Sequence, residues 1–232
     1  MESEFTKNDR MVSAWQRGLD VLKPSESQLE HGLELHASSF TCDTFGFLPT
    51  VYNREYFELY NALKDGQVGA RDLAFEANLI YRGYAATRDP DAAREFLAAV
   101  QATGLNCLVQ TVAEGKSREE DIKRMATSAQ CCRVFRKWMV QAGSSDEIQE
   151  AREQGRMAVV WSVNGPPIAG KLIDRDEELG WVQTWYNLGV RLMHLTYNRR
   201  NFVGDGCAES ANGGLSELGR DLVMEMNRVG IV

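Results

Sequence analysis

The 232-residue sequence has no uninterrupted apolar run approaching the roughly 20 residues that a membrane-crossing helix requires. It has no excess of positive charge either: 26 Lys and Arg stand against 33 Asp and Glu, a formal net charge of −7. Nucleic acids and anionic membranes are bound by concentrated positive charge, so neither is an expected partner. The opening MESEFTKNDR carries acids and no apolar centre, and does not read as a signal peptide. No Gly-x-Gly-x-x-Gly follows the first predicted strand, which argues against a dinucleotide-binding fold. Histidine is scarce, with 3 in the chain, and no His, Cys, Asp and Glu set has metal-ligand spacing. The 5 cysteines, an odd number at irregular spacing, suit the reduced thiols of a cytoplasmic protein. Cys131 and Cys132, adjacent on a predicted helix, read as packing residues.

What the sequence does contain is an alternation of strand and helix signals. Residues 1–37 read as a helical segment split by Pro24, with Ser25 and Gln28 at capping-box spacing and Leu29 and Leu33 as an apolar face. A strand is expected over 38–43, with Phe40 and Cys42 on one face, followed by aromatic-rich helical patterns near 53–64 and 70–82. Asp89-Pro90 opens a helix that Gly104 closes, and a second strand covers 105–112. Ser117 and Glu120 begin a long helix with Ile122, Met125, Ala129, Phe135, Trp138 and Met139 turned inward. A shorter helix over 146–154 leads to a third strand over 157–163, apolar enough to be buried on both faces as in parallel sheets. Asp174 and Glu177 start another helix, Gly189 ends it, and 190–196 is the fourth strand. A series of this order is either a doubly wound sheet or part of a barrel.

The last fifth of the chain holds the densest polar loop. After the fourth strand come Asn198, Arg199, Arg200, Asn201, Asp205 and Glu209 among several glycines, then a helix over 216–229 and the start of a further strand at 230–232. In parallel α/β proteins such a loop lies at the carboxyl end of its strand, where these folds place their chemistry. The strand GVRLMHLTY, followed by NRRN, GDG and GGLSELGRDLVMEMNRVGI, resembles the membrane (renal) dipeptidase family of metal-dependent hydrolases. It is most similar to a bacterial branch carrying LTYN-x-x-N-x-x-GDG, and VVWSVNGPPI fits the same pattern. The resemblance implies a (β/α)₈ barrel with a metal site at its strand ends. Residues 38–232 would then supply about the first half of it, with the remaining strands from a second polypeptide or the remainder of the same protein.

In that family bridged metal ions activate a water that attacks an amide carbonyl. Its first-strand motif, His-x-Asp, matches Thr41-Cys42-Asp43, which leaves Asp43 as the metal ligand expected in this chain. Its metal-bridging glutamate corresponds to Asn164, a neutral amide that cannot bridge two cations as a carboxylate does. Its substrate-binding histidine corresponds to Tyr197, read here as a catalytic residue that orients the substrate or donates to developing oxyanion charge. Asn164, Asn198, Arg199 and Asn201 are the expected substrate contacts, with Arg199 and Arg200 able to clamp a carboxylate. Asp205 and Glu209 are expected to shape their loop. His31 and His36 read as structural or solvated, and His194 as a core histidine facing the helices. The implied function is a dipeptidase-like hydrolase of a small amide or peptide-like substrate. Its altered site would use zinc or another divalent metal held mainly by residues outside this chain. The alternative is a non-catalytic barrel protein, or a structural subunit of a two-chain enzyme.

Overall fold

The computed structural model describes residues 8–51, 57–58, 61–62, 65–66, 86–115, 117–168 and 174–232. The helical patterns expected near 53–64 and 70–82 lie largely outside these residues. The chain divides into two compact units, one of Met1–Asp43 and Leu48–Cys107, the other of Thr44–Phe47 and Leu108–Val232.

The first unit is helical. Helix α1 (Asp9–Leu22) starts on Asn8, whose side chain accepts from the Arg10 and Met11 amides, and it ends on Lys23 in the left-handed region. Helix α2 (Glu26–Ser38) has the capping box expected of Ser25 and Gln28. Neither helix has a buried residue, and the apolar side chains of both, Leu29 and Leu33 included, line a groove of about 370 Å³. Helix α3 (Pro90–Thr103) begins on Asp89 with proline in its first turn, buries Phe96 and Val100, and closes on Gly104. His36 packs against Gly104: a Cβ there would lie 2.5 Å from the imidazole.

The sheet belongs to the second unit, apart from the first residues of its first two strands. It contains β1 (Cys42–Gly46), β2 (Cys107–Ala113), β3 (Met139–Gln141), β4 (Met157–Val163) and β5 (Val190–Met193). Its order is β1-β2-β4-β3, and β5 also pairs with β4. β3 pairs with the start of β4 (Met139↔Met157) and β5 with its end (Val163↔Met193), both in parallel. All seven residues of β2 and of β4 are buried, as expected for strands covered on both faces. Helix α4 (Arg118–Val134) buries Met125, Ser128, Cys131 and Cys132. α5 (Ser145–Glu153) precedes β4, and α6 (Arg175–Leu188) runs from its Asp174 cap to Gly189. α7 (Glu217–Val229) is capped by Ser216. Val232 then donates to Arg191 O at 2.9 Å and accepts from Met193 N at 2.8 Å, so the last residue pairs alongside β5.

Three expectations need correction. The first strand lies at Cys42–Gly46 instead of 38–43, because α2 continues to Ser38 and takes the first of those residues. The long helix ends at Val134, so Met139 opens the short strand β3, and Ile122 is 41% exposed instead of turned inward. Strand β5 stops at Met193 and 194–196 already belong to the loop.

Candidate functional site

The carboxyl ends of β2 and β4 are tied together by polar side chains. Chain leaving β2 turns at Gly115, whose φ of +71° is open to glycine and strained for other residues. A Cβ at Gly115 would also stand 2.6 Å from the Gly165 backbone, so the two turns meet at a distance only glycine permits. Buried Asp121, in the first turns of α4, accepts from the Glu114 and Gly115 amides at 2.8 and 3.0 Å and fixes the turn. Burial pushes the Asp121 carboxyl above the ordinary range, against the opposing pull of those two N–H donors.

This turn presents Glu114. Arg124 Nη1 donates to Glu114 Oε1 at 3.0 Å, and Asn164 Nδ2 donates to Glu114 Oε2 at 3.0 Å. Asn164 N donates in turn to Ala113 O at 2.9 Å. An ionised carboxylate only accepts, so the bond assigns the nitrogen end of the Asn164 amide to Glu114. Oδ1 is buried and without a hydrogen-bond partner among the described residues. Beyond Asn164, Arg118 donates through Nε to Pro167 O at 2.7 Å, pairs with buried Glu178, and lies 4.5 Å over the Trp181 ring. The strand ends are therefore locked to the amino-terminal turns of α4 and α6.

At the end of β1 the structure brings together aromatic side chains. Asp43 is the second residue of the strand and exposed, and the carboxyl end instead carries Phe45, Gly46 and Phe47. His194, one step past β5, donates its amide to Val163 O at 2.9 Å. It is exposed and not a core residue, because β5 ends before it and strand alternation no longer sets its direction. Its ring stacks on Phe45 (centroids 6.1 Å, planes at 15°) and on Tyr197 (6.4 Å, 12°). Phe47 meets Phe45 edge-on at 5.7 Å. Tyr197 is 51% exposed.

The loop after Tyr197 uses most of its polar groups on itself. Asp205 accepts from Arg200 Nε at 2.5 Å and from the Gly213 amide at 2.6 Å; Glu209 accepts from the Arg200 amide at 2.8 Å. The Arg200 guanidinium and the Gly213 N–H hold the Asp205 carboxyl below the usual range. Asn201 donates to Leu195 O at 2.8 Å and accepts from the Val203 and Gly204 amides, so its side chain holds the loop's own backbone. Asn198 accepts from Cys207 Sγ at 3.4 Å. Arg199 is exposed, with no hydrogen bond or ion pair to its guanidinium among the described residues.

Among the described residues no group of three or more His, Cys, Asp or Glu side chains could hold a metal ion. Position 164, which the resemblance equates with the metal-bridging glutamate, carries an amide bonded to Glu114, itself paired with Arg124. Sequence reasoning missed Glu114 and Arg124. The available signal was an acid directly after a mostly apolar strand, with a basic residue ten positions on, in AEGKSREEDIKR.

Comparison with known proteins places this architecture. Residues 84–232 match the profile of the membrane dipeptidase family, peptidase family M19. Dipeptidase verJ of Clonostachys rogersoniana is 34% identical over 93 residues, 39% of this chain and 22% of that protein. An amidohydrolase from Pseudomonas aeruginosa has a similar fold, with TM-score 0.58 and 25% identity over 86% of this chain and 46% of that one. So does a Rhodobacter sphaeroides metallo peptidase, solved with a phosphinate mimic of the dipeptide L-Ala-D-Ala, with TM-score 0.53 and 14% identity over 82% of this chain and 56% of that one. The chain thus spans about half the length of these solved relatives, and its parallel α/β fold is that of a partial (β/α)₈ barrel. It belongs to the membrane dipeptidase family, peptidase family M19.

Proposed function

We propose that this chain is the substrate-positioning part of a dipeptidase-like hydrolase acting on a small amide or peptide-like substrate. The catalytic metal, zinc or another divalent ion, is held by residues outside the chain. The observation that carries this reading is the family match over residues 84–232 together with the Glu114–Arg124 ion pair that Asn164 bonds at the strand ends. A bound metal would supply activated water. The residues here bind and orient: Tyr197 offers a phenolic hydroxyl at an exposed mouth, while Arg199 and Asn198 stand at the entrance of the loop. Asp43 contributes at most one carboxylate to a metal completed elsewhere. The remaining strands come from the rest of the same protein or from a second polypeptide, which pairs with the sheet beyond β5.

The test is hydrolysis of a panel of dipeptides by the chain joined with its completing half, with and without a chelator. Cleavage that a chelator abolishes and zinc restores supports the reading. A correctly assembled, metal-loaded protein that cleaves none of them sinks it. The second reading, a non-catalytic barrel protein or structural subunit, is favoured by one specific feature. The amide at position 164 is locked in place by Glu114, as a structural hydrogen bond would be.

A further inference from the structure

The first-strand ligand motif of this family is His-x-Asp at the strand's carboxyl end. In the structure that end carries Phe45-Gly46-Phe47, two aromatic side chains with the same spacing. Neither ring can ligate a metal. Phe45 instead meets an imidazole: the His194 ring lies nearly parallel to it and nearly parallel to the Tyr197 ring as well. Two stacking contacts fix the plane of His194, while neither of its ring nitrogens has a hydrogen-bond partner among the described residues. An imidazole whose contacts are ring stacks keeps its nitrogens at its edge, and at least one of them carries an N–H.

The surrounding charges decide what that N–H can meet. Glu114 is taken by Arg124 and Asn164, and Asp205 by Arg200 and the Gly213 amide. Arg199, two residues past Tyr197, has no ion-pair partner among the described residues. Glu114 and Asp205 are thus each paired with an arginine, while the Arg199 guanidinium and the His194 ring have no hydrogen-bond or ion-pair partner among the described residues. A ligand that complements such a surface is an anion with hydrogen-bond acceptors.

We propose that the mouth at the ends of β1 and β5 is a ring platform on which His194, stacked with Phe45 and with Tyr197, hydrogen-bonds a carboxylate of the ligand. The platform takes the place of a metal half-site. This rests on the proposed peptide-like substrate for the source of the carboxylate. His194 is then a binding residue, and Phe45 a positioning residue acting through it.

The ring resonances of the three histidines report the test directly, in the 232-residue chain titrated with L-alanyl-D-alanine, with its carboxyl-terminal amide, and with acetate. The dipeptide and acetate should shift the His194 signal and leave His31 and His36 in place, and the amide should shift none. His194→Leu should weaken dipeptide binding about tenfold, the scale of one hydrogen bond to a charged group. His194→Gln, which keeps an N–H donor, should recover part of the loss, and Phe45→Leu should weaken binding with His194 intact. A dipeptide that binds and shifts other mouth resonances but not His194 overturns the platform and leaves the substrate class standing. Acetate acting where the dipeptide does not overturns the substrate class and leaves the platform. A His194 signal that no carboxylate moves, or that zinc moves at stoichiometric concentration, overturns the platform.

Discussion

Asn164 donates to Glu114 across the ends of two neighbouring strands, and the same glutamate accepts from Arg124, all at 3.0 Å. The Arg124 side chain is only 11% exposed. Removing the carboxylate would leave a largely buried cation without its ion-pair partner. Glu114→Ala should therefore destabilise the chain by roughly 3 kcal/mol, as breaking buried ion pairs does. Urea denaturation monitored by tryptophan fluorescence checks it, and a change under about 0.5 kcal/mol, the range of ordinary surface substitutions, contradicts the clamp.

Asn164→Asp reverses the bond's sign. It removes the donor and sets two carboxylates at hydrogen-bonding distance, so one must take up a proton at neutral pH or the turn must open. Stability of this variant should fall as pH rises through the carboxylate range, where the wild type shows no such loss from this pair. Thermal melts across acidic to neutral pH distinguish the two.

Gly115 tests the meeting of the two turns. Alanine there must adopt a left-handed backbone and press its Cβ on the Gly165 backbone. Gly115→Ala should cost at least about 1–2 kcal/mol. Gly155→Ala shares the positive φ but meets nothing within 4 Å, and should cost less. Equal losses would show that the close approach is unimportant.

Asp205 gives a pH dependence with a defined sign. Its carboxyl is held below the usual range by Arg200 and Gly213, so its contribution is fully present above the ordinary aspartate pKa. That contribution is lost as pH falls through the depressed value. Protection of the Gly213 amide, taken as its exchange rate relative to the intrinsic rate at each pH, should fall on acidification in the wild type. In Asp205→Asn that protection should be low and no longer change with pH in that window.

Thiol reactivity checks the packing. Cys42 and Cys207 are exposed, whereas Cys107, Cys131 and Cys132 are buried. Burial pushes the Cys132 thiol up to about 12 and the Cys131 thiol higher still. A maleimide should label Cys42 and Cys207 in the folded chain and reach the other three only in denaturant.

The parts of this structure written in local chemistry were legible in the sequence. Ser25 with Gln28, Asp89 with Pro90, and Asp174 with Gly189 mark helix ends through caps that depend on a few adjacent residues. β4 was legible because burial on both faces favours a nearly all-apolar run, with Ser162 its one polar residue. The first strand was misplaced since SSFTCD and CDTFG are equally apolar, and only the length of α2 decides between them. That shift matters for the site, because it replaces Asp43 by Phe45 and Phe47 at the strand's carboxyl end. His194 was misread for a related reason: alternation holds only while the strand lasts, and β5 ends at Met193. Glu114 with Asn164 could not be read at all, since their contact joins positions 50 residues apart.

The central claim is that this part of a metal-dependent hydrolase fold orients its ligand with rings and amides and does not itself hold the metal. Equilibrium dialysis of the 232-residue chain against zinc measures that most directly. The account predicts weak, substoichiometric uptake that Asp43→Ala and His194→Leu barely change. Tight stoichiometric binding, lost in either variant, would contradict it and show that the strand ends carry a metal site of their own.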